Sequence, residues 1–217
     1  PLLENSSIPI LICIALPAHM CDYHYINSLT HDIEAREGLK MQTPPDQPTH
    51  FIDFEASGIA PDSYPIEVAV VCPGSEFQAL IQPAPYWDHW SHDAEDMHGI
   101  SREQLRRDGR PALEVAMAMN ALFGDKTLCS DAPTDCFWLE VLYEAAGIEP
   151  TFSVQPLEAL LGREAATEIL RMLPVRRWHR ALSDAHGVAM AVDAWLLRQA
   201  SGQNDVIDET KGDESKS

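Results

Sequence analysis

Short apolar segments near the middle of the chain predict three β-strands before the first helix. Phe51–Glu55, Ile66–Val71 and Phe77–Ile81 are each rich in apolar residues and short enough for a strand. Proline, aspartate and glycine lie between these segments, in Pro61–Pro65 and Pro73–Gly74, and favour tight turns. The three strands therefore most simply form an antiparallel meander.

Helical and strand patterns alternate after the meander. Short strand segments lie at Thr127–Ser130 and Phe152–Val154, and Gly147 ends the helix that precedes the second. In the second of the predicted helices, Val115, Met119 and Leu122 fall on one face. The helices are predicted at Ser101–Arg107, Ala112–Phe123, Asp135–Ala146, Pro156–Leu161, Glu164–Met172 and Leu182–Gln199. This order of elements indicates an α/β domain.

The two ends of the chain differ from this central part. The apolar run Ile8–Ala18 is too short for a bilayer span, which needs ~20 residues, and no Lys or Arg precedes it. We interpret residues 1–40 as a poorly ordered extension, with Met41 as the natural start of the domain; a partly processed export signal is the alternative. Residues 41–200 form the predicted domain, and 201–217 are expected to be a disordered acidic tail.

Composition narrows the setting of the protein. The 217 residues suffice for one α/β domain, and 45% of them are hydrophobic, so a sizeable core is expected. Five cysteines without a CxxC spacing argue against disulfides and structural zinc and favour a reducing compartment, which we take to be the cytoplasm. The net charge of -19 disfavours a polyanionic partner. Against this, most bases of residues 41–200 fall into two clusters, Arg102–Arg110 and Arg171–Arg180, which could make the field locally positive.

Two carboxylates on the first strand are the first sign of a chemical site. Asp53 and Glu55 lie two residues apart, so both project from one side of a mainly apolar strand. Like charges repel each other, and burial disfavours the charged form of each. Such a pair is therefore expected where bound divalent cations offset the repulsion. Metal-dependent phosphoryl chemistry is the function that this pattern suggests.

Three further residues could complete the site, although each has an ordinary structural explanation. Asp135 and Asp184 both fall near predicted helix starts, where aspartate commonly caps free N–H groups. His179 alone would more often be a surface or core histidine. Taken together with Asp53 and Glu55, they supply hard oxygen ligands for Mg²⁺ or Mn²⁺ and a base that titrates near neutrality. His179 and Asp184 can face one centre only if His179 precedes the last helix.

The order of these motifs resembles the DEDDh 3′–5′ exonucleases, which include proofreading subunits, oligoribonuclease and RNase T. Asp-x-Glu opens the pattern at Asp53, an Asp starts a middle helix, and His-x₄-Asp ends it at Asp184. The segments Phe54–Gly58 and Met97–Ser101 also resemble the family. The resemblance covers residues 51–195 and implies an RNase H-like fold, a central mixed sheet of about five strands flanked by helices.

The resemblance implies a role for each matched residue. Two divalent cations, Mg²⁺ or Mn²⁺, would be held by four carboxylates, with His179 as the general base and hydrolysis releasing nucleoside 5′-monophosphates from a 3′ end. Arg180 belongs to the second arginine cluster, which we expect to guide the phosphate backbone. The metal ligands would be Asp53, Glu55, Asp135 and Asp184, and the 3′-terminal nucleotide would be bound around Ala56, Ser57 and His98.

The chain departs from the family pattern around the middle motif. Ser130-Asp131 and Thr134 stand where members carry His-Asn and an aromatic residue, so Asp131 rivals Asp135 as the ligand. We favour Asp135 because Phe137-Trp138-Leu139 after it supplies an apolar helix face. The segments Tyr64–Glu67 and Tyr86–Trp90 resemble a small bacterial exoribonuclease-like branch.

Single-stranded RNA or short oligoribonucleotides are therefore the first choice of partner. DNA and a catalytically silent nucleic-acid-binding module are the alternatives, and a homodimer is compatible with the sequence. Tyr86, Trp87 and Trp90 could stack on bases, but anchoring of their loop is the favoured interpretation. We interpret the neighbouring His89 and His92 as solvated loop residues.

Overall fold

A five-stranded mixed sheet forms the centre of the protein. The computed structural model describes residues 47–174 and 179–210, with side chains to residue 201. Strand order is β3-β2-β1-β4-β5; β1, β2 and β3 are antiparallel, and β4 and β5 run parallel to β1. The strands are β1 (Phe51–Ala56), β2 (Pro65–Cys72), β3 (Ser75–Leu80), β4 (Thr127–Ser130) and β5 (Ser153–Pro156). This sheet confirms the predicted RNase H-like α/β fold, including the initial meander.

Seven helices are described, and they cover both faces of the sheet. The last helix packs on β1 and β2, while the third and fourth pack against each other. The helices are α1 (His92–His98), α2 (Arg102–Asp108), α3 (Ala112–Phe123), α4 (Thr134–Ala146), α5 (Leu157–Leu161), α6 (Arg163–Met172) and α7 (Ala181–Thr210). The arrangement matches the alternation of strands and helices expected after the meander.

The side-chain alternation of β1 divides its residues between the two faces of the sheet. Ile52 and Phe54 belong to the larger core, which includes residues of α3 and α4. Phe51 points the other way, into a second core with Val188 of α7. Because Asp53 and Glu55 share the parity of Phe51, their side chains lie on the face covered by α7. The fold therefore directs both acids toward the last helix.

Helix α1 was not predicted, and two expected core positions are exposed. The α1 segment is mostly polar, so no apolar periodicity marks it, although Ser91 caps its start and Gly99 ends it with φ 68°. Leu122 is exposed on α3, where Phe123 is buried beside Val115 and Met119. Phe137 is 38% exposed on α4. A single apolar residue at a helix edge can therefore lie outside the buried face that its neighbours define.

The last helix is longer than expected. It continues past Gln199 to Thr210, so the backbone at the start of the predicted acidic tail is helical. Its alanine-rich sequence has high helical propensity and carries no proline to stop it. Residues 1–40, Met41 and residues 211–217 lie outside the described part of the chain. Among the described helices, none combines the length and apolarity required to cross a bilayer.

Candidate metal centre and active site

Strand β1 places the first two acids at the edge of the hydrophobic core. Asp53 is 7% exposed and Glu55 is half-buried. Both project from one side of β1, as the sequence predicted, and the structure shows that this side faces α7. Burial is the main cause that raises the pKa of Asp53, and the charges of nearby acids raise it further. Burial also raises the pKa of Glu55 to about 8, reinforced by the charge of Asp184. The two carboxylates are thus held close together at a cost in electrostatic energy.

The start of helix α4 brings two more acids to Asp53. Carboxylate oxygens of Asp53, Asp131 and Asp135 lie within 4.8 Å of one another. Asp135 is 2% exposed, and its carboxylate accepts a hydrogen bond from the hydroxyl of Ser130. Asp131 is half-buried. The structure therefore gathers both rivals for the third ligand instead of selecting one of them.

The start of helix α7 brings the histidine and the last acid. Ligand atoms of Glu55, His179 and Asp184 lie within 4.8 Å of one another. His179 precedes α7, which begins at Ala181, and this confirms the condition under which His179 and Asp184 can face one centre. The backbone N–H of Asp184 bonds to the carbonyl of Arg180, so Asp184 lies in the first helical turn and is not the residue that caps it.

The donor set fits divalent cations. Five carboxylates from β1, α4, α7 and the loop after β4 supply hard oxygen atoms of the kind that Mg²⁺ and Mn²⁺ prefer. Burial and mutual repulsion raise the pKa of Asp53 and of Glu55, and bound cations would offset this repulsion. Asp53, Glu55, Asp135 and Asp184 would hold the cations, with Asp131 beside them.

A buried glutamate that the sequence did not identify connects the sheet to this site. Glu67 of β2 is fully buried and lies opposite Glu55 in the β1–β2 pairing. Its carboxylate accepts hydrogen bonds from Arg180, at 2.7 Å from Nη2 and 3.0 Å from Nε, and this contact raises the pKa of Arg180. It also accepts the backbone N–H of Ala181 at 3.0 Å. The role of Glu67 becomes visible only through its contact with Arg180, which lies 113 residues further along the chain.

The loop after β1 is fastened through Ser57. Its hydroxyl accepts the N–H of Tyr64 at 3.1 Å, its own N–H bonds to the Tyr64 carbonyl, and its carbonyl accepts the N–H of Ser91. Ala56 is half-buried where the β1–β2 register shifts. His89 is not a free loop residue, since its Nδ1 lies 3.2 Å from the Ser63 hydroxyl. Substrate contacts of Ala56 and Ser57 remain predictions, and the observed bonds of Ser57 hold the loop in place.

His98 is buried at the end of α1 with one ring nitrogen available. Nδ1 accepts the N–H of Ile100 at 3.0 Å, and Nε2 has no hydrogen-bond partner among the described residues. Burial lowers the pKa of His98, so the neutral form is favoured, with its proton on Nε2. This nitrogen is a buried donor that can serve a ligand.

The arginine clusters and the aromatic loop have structural contacts. Arg102 donates to the Trp87 carbonyl, and Arg107 forms an exposed ion pair with Asp108. Trp87 is buried and stacks on Tyr64 at 4.9 Å, which confirms for this residue the anchoring interpretation. In the second cluster, Arg180 pairs with Glu67, and residues 176 and 177 lie outside the described part of the chain.

The fold and site together define an RNase H-like α/β domain with an acidic centre between its sheet and last helix. Solved structures of E. coli exonuclease I share this fold. Its complex with a dA16 oligonucleotide has a TM-score of 0.52 and 19% identity over 67% of this chain and 40% of that chain. The zinc-bound complex with single-stranded DNA has a TM-score of 0.52 and 16% identity, over 71% and 41%. A structure of apo exonuclease I has a TM-score of 0.50 and 16% identity, over 67% of this chain and 41% of that chain.

The similarity is confined to part of these structures. The chain covers about two fifths of the length of each of the three exonuclease I structures. No protein-family model matches the chain, and no curated protein sequence matches it. The comparisons therefore establish the fold alone.

Proposed function

We propose that the chain is a metal-dependent 3′–5′ exonuclease of the DEDDh type that acts on single-stranded nucleic acid. One observation carries this proposal: acids from separate elements and His179 converge on the sheet face beneath α7. A structural protein has no need for so many repelling carboxylates, whereas cleavage of a phosphodiester needs cations and a base beside them. The fold shared with E. coli exonuclease I supports the proposal.

Each residue has a defined task in this proposal. Two divalent cations, when bound, supply the positive charge that activates water and stabilises the leaving 3′ oxygen. Asp53, Glu55, Asp135 and Asp184 bind them, and His179 accepts the proton of the attacking water. The Nε2–H of His98 donates to the 3′-terminal nucleotide, near Ala56 at the end of β1. The products are nucleoside 5′-monophosphates.

RNA or short oligoribonucleotides are our first choice of substrate, because the segments Tyr64–Glu67 and Tyr86–Trp90 resemble an exoribonuclease-like branch. Single-stranded DNA is the second candidate. It is favoured by the exonuclease I structures, which were solved with dA16 and with single-stranded DNA. The two differ in whether the site accommodates a 2′-hydroxyl.

The test uses the full chain with Mg²⁺ or Mn²⁺ and matched 5′-labelled single-stranded RNA and DNA. Asp184→Ala removes a proposed ligand, and Asp193→Ala removes an exposed acid of the same helix as a control. We expect a ladder that shortens from the 3′ end with the native protein and Asp193→Ala, and none with Asp184→Ala. The faster substrate identifies the class, and chromatography identifies the released monophosphates.

Two results would contradict the proposal. Binding of either strand without degradation would instead favour the catalytically silent binding module. Internal cleavage would indicate an endonuclease.

A further inference from the structure

The residue proposed as the base has an unfavourable backbone conformation. His179 has φ 46°, in the left-handed region that non-glycine residues seldom adopt. Such a conformation is strained for a residue with a side chain and persists only where the surrounding structure holds it. Some contact close to His179 must therefore fix the backbone there.

The two residues that follow His179 are both bonded to one buried carboxylate. Glu67 accepts two hydrogen bonds from the Arg180 guanidinium, at 2.7 and 3.0 Å, and one from the Ala181 N–H at 3.0 Å. Gln78 of β3 donates a fourth hydrogen bond to this carboxylate, at 2.9 Å. We call Glu67, Arg180 and the Ala181 N–H the Glu67 clamp. It ties the start of α7 to the centre of the sheet.

The clamp and the acidic centre share one strand pairing. Glu67 lies directly opposite Glu55 in the β1–β2 register, and Glu55 shares its ligand cluster with His179 and Asp184. Residues paired across a sheet have Cβ atoms about 5 Å apart. The β1–β2 pairing therefore fixes the positions of two acids. Glu55 belongs to the candidate metal-ligand cluster, and Glu67 holds the segment that follows His179.

The bonding of Arg180 also limits its use elsewhere. A bidentate guanidinium–carboxylate contact fixes the plane of the Arg180 guanidinium, and the Glu67 carboxylate that accepts it is fully buried. Replacing a buried ion pair by apolar residues is often neutral or stabilising, so stability alone is a weak reason for this pair. Control of geometry at the neighbouring histidine is the stronger reason.

We propose that Glu67 and Arg180 are positioning residues that hold His179 in its left-handed conformation, facing Glu55 and Asp184, for proton transfer. Arg180 thereby acts through the histidine and not as a ligand of substrate phosphate. This inference rests on the proposed function, in which His179 is the base.

The test compares steady-state kinetics of Glu67→Gln, Arg180→Lys and the double variant, using the preferred single-stranded substrate. Glutamine keeps the size of Glu67 but has only one acceptor oxygen, so it cannot accept both hydrogen bonds of the guanidinium. Lysine keeps the positive charge of Arg180 but cannot form the bidentate contact. We expect kcat to fall by up to about 100-fold, since small misplacement of a catalytic group costs that much. KM and the salt dependence should stay within about twofold of the native values.

The double variant and a matched control sharpen the result. Because the two residues act as one unit, we expect the double variant to lose no more activity than the worse single variant. Glu76→Ala removes the exposed contact of β3 with His186, which also joins the sheet to α7 but lies beyond the helix start. This control should leave kcat unchanged.

Alternative roles of the clamp predict different results. If Arg180 bound phosphate, KM would rise in Arg180→Lys, the salt dependence would weaken and Glu67→Gln would keep its kcat. If the clamp were only structural, the melting temperature would fall while kcat per folded molecule stayed native. Either result overturns the inference.

Hydrogen exchange provides a readout that does not need activity. In the protein without substrate or metal, Glu67→Gln should speed exchange of the Ala181 amide, and Arg180→Lys should do so more weakly. Unchanged exchange in both variants, with native circular dichroism, would overturn the clamp itself. If the native protein degrades neither strand while exchange behaves as expected, the proposed function fails, and the role of the clamp in proton transfer fails with it.

Discussion

Asp131 and Asp135 both lie beside Asp53, but they differ in their surroundings. Asp135 is 2% exposed, sits in the first turn of α4 and accepts the Ser130 hydroxyl, whereas Asp131 is half-buried in the loop before the helix. A metal ligand has to be held in one orientation by its neighbours. This difference favours Asp135 as the ligand and Asp131 as a nearby charge.

Alanine substitutions should separate the two roles. We expect Asp135→Ala to abolish exonuclease activity, and Asp131→Ala to retain it with a loss of no more than about 10-fold, the lower range for groups outside the ligand shell. Initial rates, together with Mn²⁺ titration by calorimetry, provide the measurement. Equal losses of activity and of metal affinity in both variants would make Asp131 a ligand as well.

For individual residues, the sequence predicted the acids and His179 but not the groups that orient them. Asp53 and Glu55 could be identified from their spacing, because a strand has a fixed period of two. Glu67 has the same period and looks like an ordinary charged strand residue until Arg180 is seen against it. Ser130 likewise acquires its role only through its contact with Asp135.

Among the connecting elements, the loop after β1 depends on a glycine. Gly58 has φ 155°, and a Cβ atom there would lie 2.5 Å from Cε1 of His89. That ring contacts the hydroxyls of Ser63 and Ser57, so displacement of His89 would disturb the loop that adjoins Glu55. The sequence alone marked Gly58 only as part of the first motif.

Gly58→Ala should therefore lower both stability and activity. We expect a loss of more than about 1 kcal/mol in the free energy of unfolding, because alanine is placed where φ is positive and space is lacking. Gly74→Ala is the control, since Gly74 has φ 76° but no atom near the added Cβ. Denaturant unfolding and exonuclease rates provide the measurements. Equal effects of the two substitutions would show that backbone strain alone, and not the His89 contact, is responsible.

The predictability of an element followed the strength of its apolar pattern. The three meander strands and α3 have enough apolar residues to be recognised, and their positions were close to those observed. Helix α1 is short and polar. It forms because Ser91 and Gly99 satisfy its ends and because Ser91, the N-cap, bonds to Ser57 in the loop after β1. Tertiary contacts of this kind are absent from any local pattern.

Over the whole molecule, the acidic centre adds to a net charge that is already strongly negative. The charge of -19 opposes the approach of a polyanion, and three arginines of the first cluster, Arg102, Arg107 and Arg110, contact groups of the protein itself. Bound cations would therefore contribute much of the attraction for a substrate phosphate near the site. Stability should also depend on those cations, since without them the buried acids repel one another.

The dependence of stability on pH tests this view of the centre. The pKa of Glu55 is about 8 in the folded protein against 4.5 when unperturbed, so between these values the folded state holds a proton that the unfolded state has released. Stability without metal should therefore be highest near pH 5 and fall as pH rises toward 8, by up to about 1.4 kcal/mol per pH unit. Asp53, whose pKa is also raised, contributes in the same direction.

Melting temperatures in EDTA and in excess Mn²⁺ measure this effect. We expect the melting temperature in EDTA to fall from pH 5 to pH 8, and excess Mn²⁺ to reverse the fall, because the metal binds the deprotonated acids of the folded state. Titration of the nine histidines also changes the net charge over this range, so Glu55→Gln is the necessary control. It should reduce the slope in EDTA without changing the contributions of the histidines and of Asp53. A native slope in Glu55→Gln would remove Glu55 from the account and assign the effect to Asp53 or to overall charge.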